Sequence, residues 1–216
     1  MRRKVNMQLQ IVAKSALHDD VAHERLKRWL RDCSCDIGAR HYIAGKEFQG
    51  FGLLNNTAVE PQTYRDAMAR FAGAVHVVAT DGEAGRRGVT VIAACSVSDE
   101  PPTILVCLNR ENEQNDRFRD NGVFSLNTLT DAQRPLADAF SGLTGLSQDE
   151  RFAQGSWEAL STRAPVLGGA AAVFDCDLVD TKDLATHRVL FGRVRAVRIG
   201  DSLSPLIYYN RAYRLL

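Results

Sequence analysis

The chain has 216 residues, of which 45% are hydrophobic and 25% are charged, and its formal net charge is +1. This length and composition fit one soluble domain of ordinary size with a real hydrophobic core. The balanced charge, with no basic cluster interleaved with aromatic residues, argues against a protein that binds nucleic acid or a membrane surface.

The compartment is predicted from the apolar runs and the cysteines. No apolar run approaches the roughly 20 residues of a membrane-spanning helix, and the basic N-terminal stretch lacks a long apolar core and a clear cleavage site. The five cysteines form an odd set, which favours reduced, structural thiols. Cys33 and Cys35 lie near His41, but the second ligand pair typical of structural zinc is absent. We therefore expect a cytoplasmic protein without a metal site.

The N-terminal quarter differs in charge from the rest of the chain. Residues 1–57 contain ten Lys or Arg and six Asp or Glu, which leaves 17 and 20 for residues 58–216. The composition changes near GFGLLNNTAVEP, a stretch typical of a linker. We predict an N-terminal extension over 1–57 with one short helix, whose role is either peripheral or partner docking, and a single domain over 58–216.

The domain is predicted to open with a helix. Tyr64, Ala67, Met68 and Phe71 recur at helical spacing after Pro61, a residue that the first turn of a helix tolerates. This spacing predicts a helix whose apolar face packs on the core.

Strand-like runs dominate the remaining sequence and are separated by Gly, Asp or Pro. The predicted strands are 74–80, 88–97, 103–109, 123–129, 170–180, 188–199 and 206–209, and the predicted helices are about 112–120 and 131–140. Strands outnumber helices and do not alternate regularly with them. This order favours a mainly β fold, an antiparallel barrel with peripheral helices.

Most familiar catalytic motifs are missing from the sequence. The stretch DGEAGRRG matches neither nucleotide-binding glycine motif and is interpreted as a polar hairpin between the first two strands. There is no G-x-S-x-G nucleophile motif and no pair of histidines with metal-ligand spacing. His76 lies in an apolar strand and is expected to be a core side chain. His187 precedes a strand, where ligand contacts tend to lie.

The stretch GVTVIAACSVSDEPPTILVCLNR, residues 88–110, carries polar groups that a buried strand pair does not need. If its two strands are neighbours, they could present backbone amides from 90–92, the hydroxyls of Ser96 and Ser98, and the charge of Arg110. Such a set could hold a planar polar ring and a phosphate. The alternative, a strand pair with incidental serines, is equally open on these features.

Seven ordered blocks of the sequence resemble the short-chain flavin reductases, the reductase components of two-component flavin-dependent monooxygenases. The blocks are YRDAMARFAGAVHVVATDG, GVTVIAACSVSDEPPTILVCLNR, NGVFSLNTL, DERFAQGSWEAL, APVLGGAAAVFDCDL, THRVLFGRV and PLIYYNRAYRLL. The resemblance runs from about Tyr64 to the C-terminus and implies a split β-barrel of the flavin-reductase type. It further implies a homodimer that uses NADH or NADPH to reduce FMN or FAD and supplies reduced flavin to a partner monooxygenase.

The resemblance also implies roles for individual residues around the flavin ring. In relatives, the stretch that matches Thr90, Val91 and Ile92 contacts the isoalloxazine edge largely through backbone groups. The position of His187 matches an imidazole that meets the nicotinamide or the flavin face. His187 is accordingly predicted to orient the hydride donor.

The resemblance implies a separate set of residues for the flavin phosphate. The serines that match Ser96 and Ser98 belong to this set, with Ser98 as the phosphate contact. The strand end that matches Asn109 and Arg110 places the arginine near the same phosphate.

Three positions depart from the family pattern. Ile92 replaces a polar residue, Glu111 places a carboxylate beside Arg110, and Leu143 replaces a frequent basic residue. These changes predict looser binding or a flavin that exchanges. Two alternatives stay open: an enzyme of the same fold that reduces another acceptor, such as a corrinoid, and a non-catalytic module that binds flavin or haem.

Overall fold

The computed structural model of the chain describes residues 59–215. The predicted extension over 1–57, its helix and the Cys33–Cys35 pair lie outside the described residues. The four α-helices of the described part are α1 Pro61–Met68, α2 Arg117–Asn121, α3 Arg134–Ser141 and α4 Gln148–Phe152. Its strands are β1 Gly73–Ala74, β2 His76–Thr80, β3 Arg87–Val91, β4 Ala94–Asp99, β5 Pro102–Asn109, β6 Val123–Thr128, β7 Trp157–Ala159, β8 Pro165–Leu167, β9 Ala172–Leu184, β10 His187–Ile199, β11 Ile207–Tyr209 and β12 Ala212–Arg214.

A seven-stranded antiparallel sheet in the order β3-β2-β6-β9-β10-β5-β4 forms the body of the fold. A three-stranded sheet, β1-β11-β12, and the hairpin β7-β8 flank it. The edge strands β3 and β4 are consecutive in the chain, so the two sheet edges must approach each other. The N–H of Cys107 donates to the carbonyl of Ala93 at 2.9 Å at this point. The sheet is therefore curled, and the predicted mainly β fold with peripheral helices is confirmed.

The predicted strand 88–97 is the main error in the strand assignments. The chain forms β3 and β4 instead, which lie at opposite edges of the sheet. Every residue between Val89 and Cys95 except Thr90 is apolar, so hydrophobic periodicity gave no sign of the break at Ile92 and Ala93. The hairpin predicted between 74–80 and 88–97 is confirmed, because β2 pairs with β3 in antiparallel register.

Helix α3 packs against β3, and its buried side chains belong to one of the two hydrophobic clusters of the core. Phe140 contacts Phe152 edge to face, with ring centroids 5.0 Å apart. A Cβ at Gly88 would overlap the ring of Phe140, so the glycine permits the close approach of helix and strand. The helix predicted over 131–140 is confirmed, with its first turn, Asp131–Gln133, in 3₁₀ form.

The helix predicted over 112–120 is also present, but its first half differs. Residues Glu113–Asp116 form a 3₁₀ turn, and α2 follows it. Gly122 ends α2 with a positive φ of 70°, a backbone conformation that glycine adopts without steric cost.

Helix α1 begins at Pro61 as predicted, but its apolar face does not pack on the core. None of its residues is buried, and Tyr64, Met68 and Phe71 are 60%, 45% and 72% exposed. Helical periodicity shows that a helix has an apolar face, and it does not show what covers that face.

The hairpin of β9 and β10 is the longest pairing in the sheet, with 13 residues in each strand. The shift of register between Phe191 and Gly192 leaves Val179 of β9 as an extra residue, a bulge that bends β9. The hairpin places His187 opposite Asn109 at the end of β5. Both strands were predicted, although β9 extends four residues further than expected.

His76 was predicted to be a core side chain, and it is half-buried, with one side on the groove that Ser96 lines. Its Nδ1 lies 3.0 Å from the hydroxyl of Thr128, and burial lowers its pKa to about 4. Burial also raises the pKa of the Cys176 thiol to about 12, in keeping with a structural role. Within residues 59–215, no helix is long and apolar enough to cross a membrane.

Candidate functional site

An open cleft of about 580 Å³ lies between the edge strand β3, the end of β5 and helix α3. We call it the β3 cleft. Its lining residues are Arg87, Val89, Thr90, Val91, Ile92, Ala93, Cys107, Leu108, Asn109, Asn112, Gln114, Asn115, Phe140, Ser141, Gly142, Arg151 and His187. Five of the eight predicted site residues therefore share one cleft: Thr90, Val91, Ile92, Asn109 and His187.

The free edge of β3 presents backbone donors to this cleft. Since β3 has a neighbour on one side only, alternate backbone N–H groups point away from β2. The N–H of Gly88 points this way, because it donates to Oε1 of Gln148 at 2.8 Å. Strand alternation gives the N–H of Thr90 the same direction. The Thr90 hydroxyl donates to the carbonyl of Ala137 at 2.7 Å and fixes the strand against α3.

Asn109 and His187 form the end wall of the cleft. The side-chain oxygen of Asn109 accepts a hydrogen bond from the backbone N–H of Glu111 at 2.9 Å. The backbone carbonyl of Asn109 accepts one from Nδ2 of Asn115 at 2.8 Å. His187 is exposed, and its Nδ1 lies 2.9 Å from the hydroxyl of Thr186. This contact occupies one ring nitrogen, so the imidazole is oriented while its exposed part can meet a ligand.

Arg87 and Arg151 bring positive charge to the lining of the cleft. The Nε of Arg87 donates to the side-chain oxygen of Asn115, the residue whose Nδ2 binds the backbone of Asn109. Burial, together with the nearby charges of Arg151 and Arg117, lowers the pKa of Arg87 to about 10. Arg87 is still a cation at neutral pH. None of the described residues that line the cleft is acidic.

Ser96 and Ser98 line a different groove of about 340 Å³, whose other walls include Phe174, Val194 and Val197. The Ser98 hydroxyl donates to the carbonyl of Glu100 at 3.0 Å and accepts its N–H at 3.1 Å. The structure thus separates the two serines from the five residues of the β3 cleft.

Arg110 is not among the residues that line either space. Its guanidinium lies 3.6 Å from the carboxylate of Asp183. The same carboxylate accepts a hydrogen bond from Nε of Arg188 at 2.6 Å. The hydrogen bonds from Arg188, followed by the charges of Arg188 and Arg110, lower the pKa of Asp183. Arg110 therefore already has an acidic partner in this structure.

The three departures from the family pattern lie on the surface. Ile92 is 46% exposed and Leu143 is 84% exposed, and both line a neighbouring pocket with Tyr213. Glu111 is exposed, and within residues 59–215 no ion pair of its carboxylate is found.

The sequence analysis missed two arginines that line the cleft, Arg87 and Arg151. Arg87 was counted as part of a hairpin tip, whereas it is the first residue of β3. Arg151 belongs to α4, a five-residue helix that was not predicted. A capping box gave a usable signal for α4, since Ser147 is followed three residues later by Glu150.

The arrangement fits a ligand with a planar polar ring and an anionic group. Backbone donors of β3 can meet ring acceptors, apolar side chains such as Val89 and Leu108 can cover a ring face, and the arginines can meet an anion. FMN has this chemistry. In the described part of the chain, no group of three or more His, Cys, Asp or Glu side chains is placed to hold a metal ion.

Comparisons with known proteins identify the family. The model of the flavin reductase like domain matches residues 68–216. An FMN reductase (NADH) RutF 2 of Methylorubrum extorquens is 48% identical over 159 residues, 74% of this chain and 91% of that protein. An FMN reductase (NADH) RutF of Bradyrhizobium diazoefficiens is 47% identical over 155 residues, 72% of this chain and 85% of that protein.

A solved structure shows the same architecture. BorF, the flavin reductase component of a bacterial two-component tryptophan halogenase, is 26% identical. The match has a TM-score of 0.67 and covers 73% of this chain and 98% of BorF. The curled sheet is thus the split β-barrel that the sequence predicted. The family model matches residues 68–216, and the two relatives are matched over most of their length. The chain therefore belongs to the flavin reductase like domain family.

Proposed function

We propose that this protein is an NADH-dependent FMN reductase that binds the flavin in the β3 cleft. The observation that carries the proposal is the cleft itself, in which an open strand edge, apolar walls and two arginines meet without an acidic lining residue among those described. The names of the two curated relatives support the choice of FMN and NADH over FAD and NADPH.

The protein's part in this reaction is binding and orientation. Hydride transfer from a nicotinamide to a flavin is chemistry that the two coenzymes supply when both are bound. Backbone groups of Thr90, Val91 and Ile92 hold the ring edge, Asn109 closes the end of the cleft, and His187 orients the nicotinamide. No side-chain nucleophile is required, which agrees with the lack of such a motif in the sequence. The prediction that Ser96, Ser98 and Arg110 contact the phosphate stays a prediction.

The activity itself is tested on the purified full chain by following NADH absorbance. We expect NADH oxidation that requires added FMN and proceeds more slowly with FAD or with NADPH. NADH oxidation that is independent of any flavin, or turnover only with another acceptor such as a corrinoid, would contradict the proposal.

Replacing His187 with Ala should raise KM for NADH about tenfold, because an interaction worth about 1.4 kcal/mol is lost. The dissociation constant for FMN should change less than about twofold, since backbone groups hold the ring. Steady-state kinetics and flavin fluorescence titration measure the two quantities. Leu184→Ala, an exposed change on the same hairpin, is the control. A larger loss of FMN affinity than of NADH affinity would remove this role from His187.

We also propose that two copies of the chain associate and that the dimer delivers reduced flavin to a partner monooxygenase. The apolar side chains of Tyr64, Met68 and Phe71 support this association, because all three are exposed on a single chain and a second copy could cover them. BorF serves as the reductase component of a two-component halogenase, which supports a separate oxygenase here. Light scattering tests the dimer, and a monomer of 23.9 kDa would contradict it.

A further inference from the structure

The tip of the β9–β10 hairpin has little side-chain packing to hold it. Residues 182–187 are all exposed. The turn places Ala185 at a φ of 49°, a left-handed conformation that is unfavourable for a residue other than glycine. His187 lies at this tip. A fixed orientation of its imidazole therefore requires contacts that anchor the tip from outside.

Arg188, the next residue of β10, makes such contacts. Only 12% of its side chain is exposed. Across the hairpin it donates two hydrogen bonds to the carboxylate of Asp183, from Nε at 2.6 Å and from a terminal nitrogen at 3.1 Å. Its other terminal nitrogen donates to the carboxylate of Asp116. Charge-assisted and bidentate hydrogen bonds are directional, so the guanidinium is held in one geometry.

The contact with Asp116 joins the hairpin to the wall of the β3 cleft. Asp116 is the last residue of the 3₁₀ turn before α2. In the same turn, Nδ2 of Asn115 binds the backbone carbonyl of Asn109, which lies opposite His187 in the β5–β10 pair. The ion pairs of Arg188 thus connect the hairpin that carries the imidazole to the turn that supports the facing strand.

The imidazole is attached to the anchored backbone by two more contacts. The N–H of Arg110 donates to the carbonyl of Thr186 at 3.0 Å, and the hydroxyl of Thr186 lies 2.9 Å from Nδ1 of His187. Successive side chains of a strand point to opposite faces, and Arg188 is not among the residues that line the β3 cleft. Arg188 therefore fixes the backbone of the tip, and Thr186 fixes the ring on that backbone.

We propose that Arg188 is a positioning residue for NADH, which acts on the nicotinamide only through His187. This rests on the proposed function, because it assumes that His187 orients the nicotinamide. Since Arg188 does not line the cleft, its loss should leave FMN binding nearly unchanged.

A double-mutant cycle with His187 tests this dependence. Arg188→Gln should raise KM for NADH about fivefold, because the tip loses both carboxylate anchors, and should leave the dissociation constant for FMN within about twofold. In the His187→Ala background the same change should raise KM less than about 1.5-fold, because the ring that it positions is gone. Arg195→Gln, which removes an exposed ion pair with Asp177 on the same strand, is the control and should change neither quantity.

Asp116→Ala is a second variant, because replacing the mostly buried Arg188 also lowers stability. The carboxylate of Asp116 makes no capping hydrogen bond to α2, so its removal frees one side of Arg188 without the loss of a cap. This change should raise KM for NADH about twofold and should likewise have no further effect in the His187→Ala background.

The anchoring of the tip is measured separately, on the full chain without ligands. The amide hydrogen of Arg110, which is bonded to Thr186 in the tip, should exchange about tenfold faster in Arg188→Gln. Its exchange should be unchanged in Arg195→Gln. NMR follows the exchange of this single amide.

Additive effects of Arg188→Gln and His187→Ala on KM would overturn the inference, because Arg188 would then act without the imidazole. An unchanged KM or unchanged amide exchange in Arg188→Gln would overturn it as well. These results leave the reductase function standing. A normal KM for NADH in His187→Ala would remove the role of His187 together with the inference, and NADH oxidation that needs no flavin would remove the proposed function itself.

Discussion

Replacing Ser141 with Trp should weaken FMN binding about a hundredfold, equivalent to about 2.8 kcal/mol. Ser141 lies at the end of α3, is exposed and lines the β3 cleft. An indole at this position would occupy the space that the ring needs, and a ligand cleft normally buries most of its ligand. Flavin fluorescence titration measures the affinity, and NADH oxidation with FMN should fall in parallel.

The fold should survive this change, since the side chain projects from the surface. Its only bonds of note are local, a donation to the carbonyl of Asp138 at 2.7 Å and a weak contact with the N–H of Leu143. Ser202→Trp, on an exposed loop residue, controls for the added indole. Normal FMN affinity in Ser141→Trp, with an unchanged melting temperature, would show that the flavin binds elsewhere.

Replacing Gly192 with Ala should destabilise the fold by about 1–3 kcal/mol, the usual cost of overfilling a packed core. A Cβ at this position would overlap the ring of Phe124 and lie 2.9 Å from Cβ of Cys176. Phe124 and Cys176 are completely buried, so neither can move without disturbing the sheet. The free energy of unfolding from urea denaturation measures the effect.

Gly73→Ala is the matched control, because it adds the same atom to another strand. The new Cβ would lie 3.6 Å from Cβ of Ile92, an ordinary contact distance. Its unfolding free energy should stay within about 0.5 kcal/mol of the wild-type value. Equal stability of the two variants would show that the backbone at Gly192 relaxes freely.

The long strands and helix α3 were predictable because their signals are local. Residues 188–199 and 103–109 alternate or run apolar between clear turn residues, and both became strands with nearly the expected bounds. The three-residue strands β7 and β12 give no such signal. They form because neighbouring chain segments pair with them, as β8 does with β7 and β11 with β12.

The candidate site was predictable only in part, for a related reason. Thr90, Asn109 and His187 lie in segments that the family resemblance identifies, and the structure brings them together in one cleft. Arg87 and Arg151 are 64 positions apart in the sequence, and they converge through the packing of α4 against β3. The partner of Arg110 is also distant in sequence, because Asp183 lies in β9 and the β9–β10 hairpin brings it close to Arg110. A sequence pattern records which charges exist, and only the fold decides which of them cancel.

A crystal structure of the protein with FMN tests the central claim most directly. We predict that the isoalloxazine ring lies along Thr90–Ile92 in the β3 cleft. A ring bound in the groove of Ser96 would contradict the account.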